Sequence, residues 1–200
     1  MSASKPAPEP AAGGGRHRGV VLARHGQTDD NLPPLRFQGF RDTPLNDTGR
    51  GQAHELAEKI AARSEPIASL WSSDLSRARE TAEIVGARIG LTPRLDPRLR
   101  EANRGEWEGH LFPEIERAEP DRFAAWMRGG ASWRFPGGES LQEQQDRVMA
   151  SLADIAAAGE LPALAVCHGG SIRVALCSRD PRGLDAFHAF EVPNVTVVPL

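Results

Sequence analysis

The chain contains no tyrosine, and only Lys5 and Lys59 among its 24 basic residues are lysines. Arginine must therefore solvate the surface as well as fill any special role, so an arginine carries functional weight only by its context. Cysteine is equally sparse. Cys167 and Cys177 are too few for a disulfide scaffold and suit a reducing compartment. A basic excess is missing too: 24 Lys and Arg face 27 Asp and Glu, a formal charge of −3, so no nucleic-acid partner is expected. No apolar run reaches the ~20 residues of a bilayer span, so no membrane partner is expected. The opening residues lack the apolar stretch of a secretory signal, which makes the cytoplasm the expected location. What remains is a 200-residue chain, 40% apolar and 26% charged, with the make-up of one globular domain.

Residues 1–17 are dominated by Ala, Pro and Gly and read as a disordered tail. The domain is expected over residues 18–200. Apolar runs at 19–23, 67–71 and 163–167 read as buried strands, with shorter ones near 92–95 and 195–198. Between them, Ala53, Leu56, Ala57 and Ile60 mark a helix capped by Thr48. Leu75, Ala78, Ala82, Val85 and Ile89 mark a second, and residues 141–157 a third. Strands alternating with helices predict an α/β fold: a three-layer α/β/α sandwich with a mostly parallel central sheet. Residues 102–139 break the alternation with Pro113, Pro120, Pro136 and two Gly-Gly pairs. They also hold six of the eleven aromatic residues. They read as a small helical insertion, and as the lid of any site.

In such sheets ligands collect beyond the carboxyl ends of the strands. Three polar clusters fall there: Arg24-His25-Gly26, Ser72-Ser73-Asp74 leading to Arg77, and His168-Gly169-Gly170. Two imidazoles and two guanidiniums at one edge suit a phosphate, with helix N-termini after Gly26 and Gly170 adding backbone N–H groups. A neutral imidazole is also a competent nucleophile.

Arg24-His25-Gly26-Gln27-Thr28 with Asn31 resembles the signature of the histidine phosphatase superfamily, which includes the phosphoglycerate mutases. So do Gln38-Gly39, Ser72 to Ala78, Leu99-Arg100-Glu101, Gly105 to Gly109, Gly137 to Ser140 and His168-Gly169-Gly170. The resemblance implies a phospho-accepting nucleophile at His25 and a general acid and base at Glu101. It implies phosphoryl binding by Arg24, Arg77, His168 and Asn31, with Gln38, Gly39 and Gly169 alongside. Neither metal nor cofactor is implied, and the partner is a small phosphorylated metabolite. Where the family often has an aromatic residue this chain has Arg104, expected to reach an anionic or polyhydroxylated part of the substrate. The mutases carry a longer basic insertion with adjacent arginines. Residues 102–139 have no such pair, which favours a phosphomonoesterase and leaves the mutase as alternative.

Other readings compete. Glu106 and Glu108 lie close enough to replace Glu101 as the acid. Cys167 to Arg173 fits C-x-x-G-x-x-R, the spacing of cysteine-dependent phosphatases, although Val166 and Val174 do not match their flanks. No H-x-x-x-H or C-x-x-C spacing supports a metal site. A non-catalytic phospho-ligand module would need the cationic clamp but neither nucleophile nor acid. No pattern fixes the oligomeric state, and a dimer is compatible with the sequence.

Overall fold

The computed structural model describes residues 19–200, so the tail expected over 1–17 lies outside the described residues. Five strands form one sheet: β1 (Val20–Arg24), β2 (Ser69–Ser72), β3 (Arg94–Leu95), β4 (Ala163–Cys167) and β5 (Val197–Pro199). Their order is β3-β2-β4-β1-β5. All neighbours are parallel except β5, which runs antiparallel to β1 at the edge. The helices are α1 (Asp47–Ala61), α2 (Ser76–Ile89), α3 (Phe112–Ala118), α4 (Pro120–Arg128), α5 (Leu141–Ala157) and α6 (Gly169–Cys177).

Alternation along the strands separates two cores. Val21, Ala23, Leu164 and Val166 point to one face and pack against Leu56, Ala57 and Ile60 of α1 and Ala78, Ala82 and Val85 of α2. Val20, Leu22, Ala163, Ala165 and Cys167 point to the other, against Leu141, Val148, Leu152 and Ile155 of α5 and Ile172 and Val174 of α6. With both faces covered, the central strands read as continuous apolar runs. The architecture is therefore the three-layer α/β/α sandwich.

Two local expectations need correcting. The cap of α1 is Asn46, whose side chain accepts from Gly49 N at 2.8 Å, not Thr48. No long helix follows Gly26; a single 3-10 turn at Asp29–Asn31 does, and the chain loops on to α1. That loop is pinned by glycine. A Cβ on Gly26 would lie 2.3 Å from the Gly49 carbonyl oxygen, so only bare backbone lets α1 start against the end of β1. Among the described residues, no helix is long and apolar enough to cross a membrane.

Candidate active site

β1 and β4 run in register, Arg24 beside Cys167, so the next residue of each places its imidazole at the same edge. The rings of His25 and His168 lie 5.1 Å apart between centroids, at 61°. His25 Nδ1 sits 2.6 Å from the Gly26 carbonyl oxygen, a contact that requires a proton on Nδ1. Burial first, then His168, Arg77 and Arg24, holds its pKa well below the ordinary histidine value. The ring is therefore neutral near pH 7, with an open lone pair on Nε2. Burial, Arg77, Arg147, Arg24 and Arg104 lower His168 in the same direction. Its Nε2 lies 2.9 Å from Ser73 Oγ, and its Nδ1 has no partner among the described residues.

Arg77 enters from the first turn of α2 and is wholly buried. Backbone carbonyls fix it: Nη1 donates to Arg41 O and Nη2 to Gly39 O, both at 2.9 Å. Arg24, from the end of β1, donates from Nη1 to Val192 O at 2.6 Å. Burial lowers both guanidiniums to a pKa of about 10, still cationic at neutral pH. Neither Nε has a partner among the described residues. Each arginine is thus held by part of its donor fork while the rest remains unused.

Glu101 closes the opposite side. Oε1 accepts from Ala102 N at 2.9 Å and from Gln144 Nε2 of α5 at 3.0 Å, and Oε2 accepts from Gly170 N at 2.9 Å. Burial raises its pKa, but Arg104 and these donors outweigh burial and take it down to about 2. Only glycine fits at position 170, where a Cβ would lie 2.0 Å from Glu101 Oε1. The Gly170 N–H, expected to await phosphate, is committed to this carboxylate instead. Glu108 accepts from the backbone of Phe40 and Arg104. Glu106 and Glu108 do not line the cavity, whereas Glu101 does.

That cavity has a volume of about 460 Å3. Arg24, His25, Asn31, Gln38, Arg77, Glu101, Gly169 and Gly170 are among the residues that line it. His168 is not on the lining and packs behind His25. Gly39 is off it as well. Its carbonyl instead supports Arg77, and its φ of 57° puts a would-be Cβ 2.2 Å from Glu108. The aromatic cluster divides between two tasks. Trp107, Trp133 and Phe135 are core, while Phe112 of α3 and Phe123 and Trp126 of α4 also wall the cavity.

Sequence reasoning missed Asn194 and Arg173. Asn194 Nδ2 donates to the His25 carbonyl at 3.0 Å and to Asn31 Oδ1 at 3.2 Å. The next residue, Val195, is held at φ 54°, a costly conformation for a β-branched side chain and one found where a site dictates backbone. Arg173 appeared only within the cysteine-phosphatase spacing. Cys167 does not act in that way: it is buried, and burial pushes its thiol up to about 12, far from a reactive thiolate. Among the described residues, no group of three or more His, Cys, Asp or Glu is arranged to hold a metal ion.

A mostly parallel sheet that gathers imidazoles, guanidiniums and one carboxylate at its carboxyl edge defines an α/β protein with an arginine-rich cavity at that edge. The sequence profile of the histidine phosphatase superfamily (branch 1) matches residues 20–200, and the chain belongs to that family. It is 40% identical over 165 residues to a glucosyl-3-phosphoglycerate phosphatase of Mycolicibacterium vanbaalenii, covering 78% of this chain and 72% of the relative. A probable phosphoglycerate mutase of Salmonella choleraesuis is 40% identical over 154 residues, covering 75% and 69%. Among solved structures, the mycobacterial glucosyl-3-phosphoglycerate phosphatase in complex with VO3 superposes with a TM-score of 0.79 at 34% identity, covering 89% and 88%. The chain is a phosphoric monoester hydrolase of the histidine phosphatase type.

Proposed function

We propose that hydrolysis runs through a phosphohistidine at His25. The observation that carries this reading is the free Nε2 lone pair of a neutral ring, fixed by the Gly26 carbonyl and flanked by two part-used guanidiniums. Arg24 and Arg77 take the phosphoryl oxygens, with Asn31 as a neutral helper. Ser73 Oγ accepts from Leu75 N, so its own proton is free for His168 Nε2, and the His168 proton then sits on the unpartnered Nδ1. In this reading His168, although it packs behind His25 and off the cavity lining, turns that N–H toward the phosphoryl oxygens. His25 Nε2 attacks phosphorus and the ester P–O bond breaks.

With a pKa of about 2, Glu101 is a carboxylate at neutral pH. The proton that leaves with the alkoxide therefore enters on the monoanionic ester, and Glu101 relays it. Glu101 then takes a proton from the water that attacks the phosphohistidine, releasing phosphate and free His25. The substrate is a small phosphorylated metabolite of the sugar-phosphate or phosphoglycerate-derivative type, as the names of the phosphatase relatives support. The free, buried thiols of Cys167 and Cys177 fit a cytoplasmic location.

Turnover of an activated aryl phosphate, followed by a panel of sugar phosphates, phosphoglycerates and nucleotides, tests the reading. Rapid quenching during turnover should trap an adduct at His25 that survives base and is lost in acid. A His25→Ala variant that still cleaves esters at the wild-type rate overturns the proposal. The mutase reading, kept by the Salmonella relative, predicts instead that the adduct returns its phosphoryl group to phosphoglycerate faster than to water.

A further inference from the structure

Arg24 and Arg77 account for the phosphoryl group in the proposed mechanism, but the cavity lining holds further cations that this chemistry does not use. Five arginines line the cavity (Arg24, Arg36, Arg77, Arg104 and Arg173) against two carboxylates, Asp30 and Glu101. The three histidines near it do not add charge at neutral pH, since burial lowers His25, His168 and His188 alike. Even a dianionic phosphoryl group leaves one positive charge without a counter-ion.

Arg104 is the least satisfied of the five. Its side chain is only 13% exposed, and the nearest carboxylate oxygen, on Glu101, stands 3.8 Å from Nη2. That is too far for a hydrogen bond. Its Nε has no partner among the described residues. What holds it is aromatic: the guanidinium carbon lies 5.3 Å from the Phe37 ring centre, 5.4 Å from Phe135 and 6.0 Å from Trp126. Ring faces stabilise a cation without accepting its N–H donors. The fork is therefore immobilised and left open, the preorganised state a ligand group would need. Arg173 lines the same cavity. It is anchored by Nε to Phe190 O at 3.0 Å, and neither of its Nη groups is hydrogen-bonded among the described residues.

Resting on the phosphatase reading above, we propose that Arg104 and Arg173 form a second anion site that receives a carboxylate on the alcohol portion of the ester. A carboxylate is the monoanion whose paired oxygens match the planar fork, and one charge is what the cavity lacks. Selection for such esters then comes from Arg104, at a position where the family resemblance leads one to expect an aromatic side chain.

The experiment compares kcat/KM for 3-phosphoglycerate and glycerol 3-phosphate, which differ by a carboxylate against a hydroxymethyl group. The wild-type enzyme should prefer the carboxylate by about ten- to a hundredfold, the span of a charge-assisted contact. Arg104→Met should bring that ratio to within about threefold of unity, and Arg173→Gln should lower it part of the way. The ratio is read within each variant, so a general loss of activity does not mimic the effect. If Arg104→Met does not fold, Arg173→Gln decides by the same ratio. No preference in the wild-type enzyme, or the wild-type ratio retained in the folded variants, overturns the proposal. A wild-type enzyme inert toward activated aryl phosphates would instead sink the phosphatase reading beneath it.

Discussion

Replacing Glu101 by Gln separates proton transfer from scaffolding. The carboxylate accepts three buried N–H groups, and an amide oxygen placed at Oε1 keeps only those of Ala102 and Gln144. The Gly170 N–H would then face an NH2 group, leaving one buried donor unsatisfied at about 1–3 kcal/mol. The lost charge points the same way. A carboxyl held at about 2 against an ordinary 4.5 is stabilised in its ionised form by about 3 kcal/mol. The variant should therefore fold with a lower Tm and show an activity loss that depends on the leaving group. An alkyl phosphate must expel an alkoxide and should lose about 10²–10⁴ in kcat. An aryl phosphate expels a stable phenolate without help, so its first turnover should survive. Later turnovers should slow, because water attack on the phosphohistidine has lost its base. Stopped-flow mixing of E101Q with nitrophenyl phosphate should thus show a burst of about one equivalent per site followed by a slow phase. Equal loss of the burst and of alkyl-ester turnover would show that Glu101 only shapes the site.

Three further outcomes follow from the same geometry. Cys167→Ser should retain full phosphatase activity, because a thiol near 12 is protonated at neutral pH; loss of activity in a folded variant would revive the cysteine mechanism. Gly170→Ala drives a Cβ to within 2.0 Å of Glu101 Oε1, so kcat on alkyl esters should fall by at least about tenfold, with aryl-ester bursts less affected. Glu101 has a depressed folded pKa, so its contribution is complete above about 4.5 and disappears as pH falls toward about 2. Denaturant titrations from pH 6 to pH 3 should accordingly show stability falling more steeply in the wild-type protein than in E101Q.

The central sheet was legible because its middle strands are buried on both sides: Ala163–Cys167 has the same bounds in sequence and structure. So has α5, whose start is marked by Ser140 accepting from Glu143 N and Glu143 reaching back to Ser140 N. The first helix was misplaced at its cap because Asn46 and Thr48 are both good capping residues, and only the packing of Gly49 against the Gln27 carbonyl selects between them. A three-residue edge strand such as β5 has too little periodicity to reveal that it runs antiparallel. Site residues next to strand ends were readable from position alone. Asn194 was not, since its place depends on how the C-terminal segment returns beside β1, and Arg173, one turn into α6, is one arginine among many with no local mark to set it apart.

The arrangement of buried charge explains why these residues come from separate segments. Arg24 and Arg77 have lost most of their hydration, and the carbonyls of Val192, Arg41 and Gly39 replace only part of it. Had both arginines stood on one flexible loop, they could have turned outward to water. Instead Arg24 is fixed by β1 and Arg77 by α2, so neither can leave without disrupting the sheet or the helix packed on it. The cost of burying each cation is carried by the folded structure that encloses it. In the proposed mechanism an incoming phosphoryl group is the partner that relieves it, and it relieves it most when its charge lies against both forks, beside Nε2 of His25.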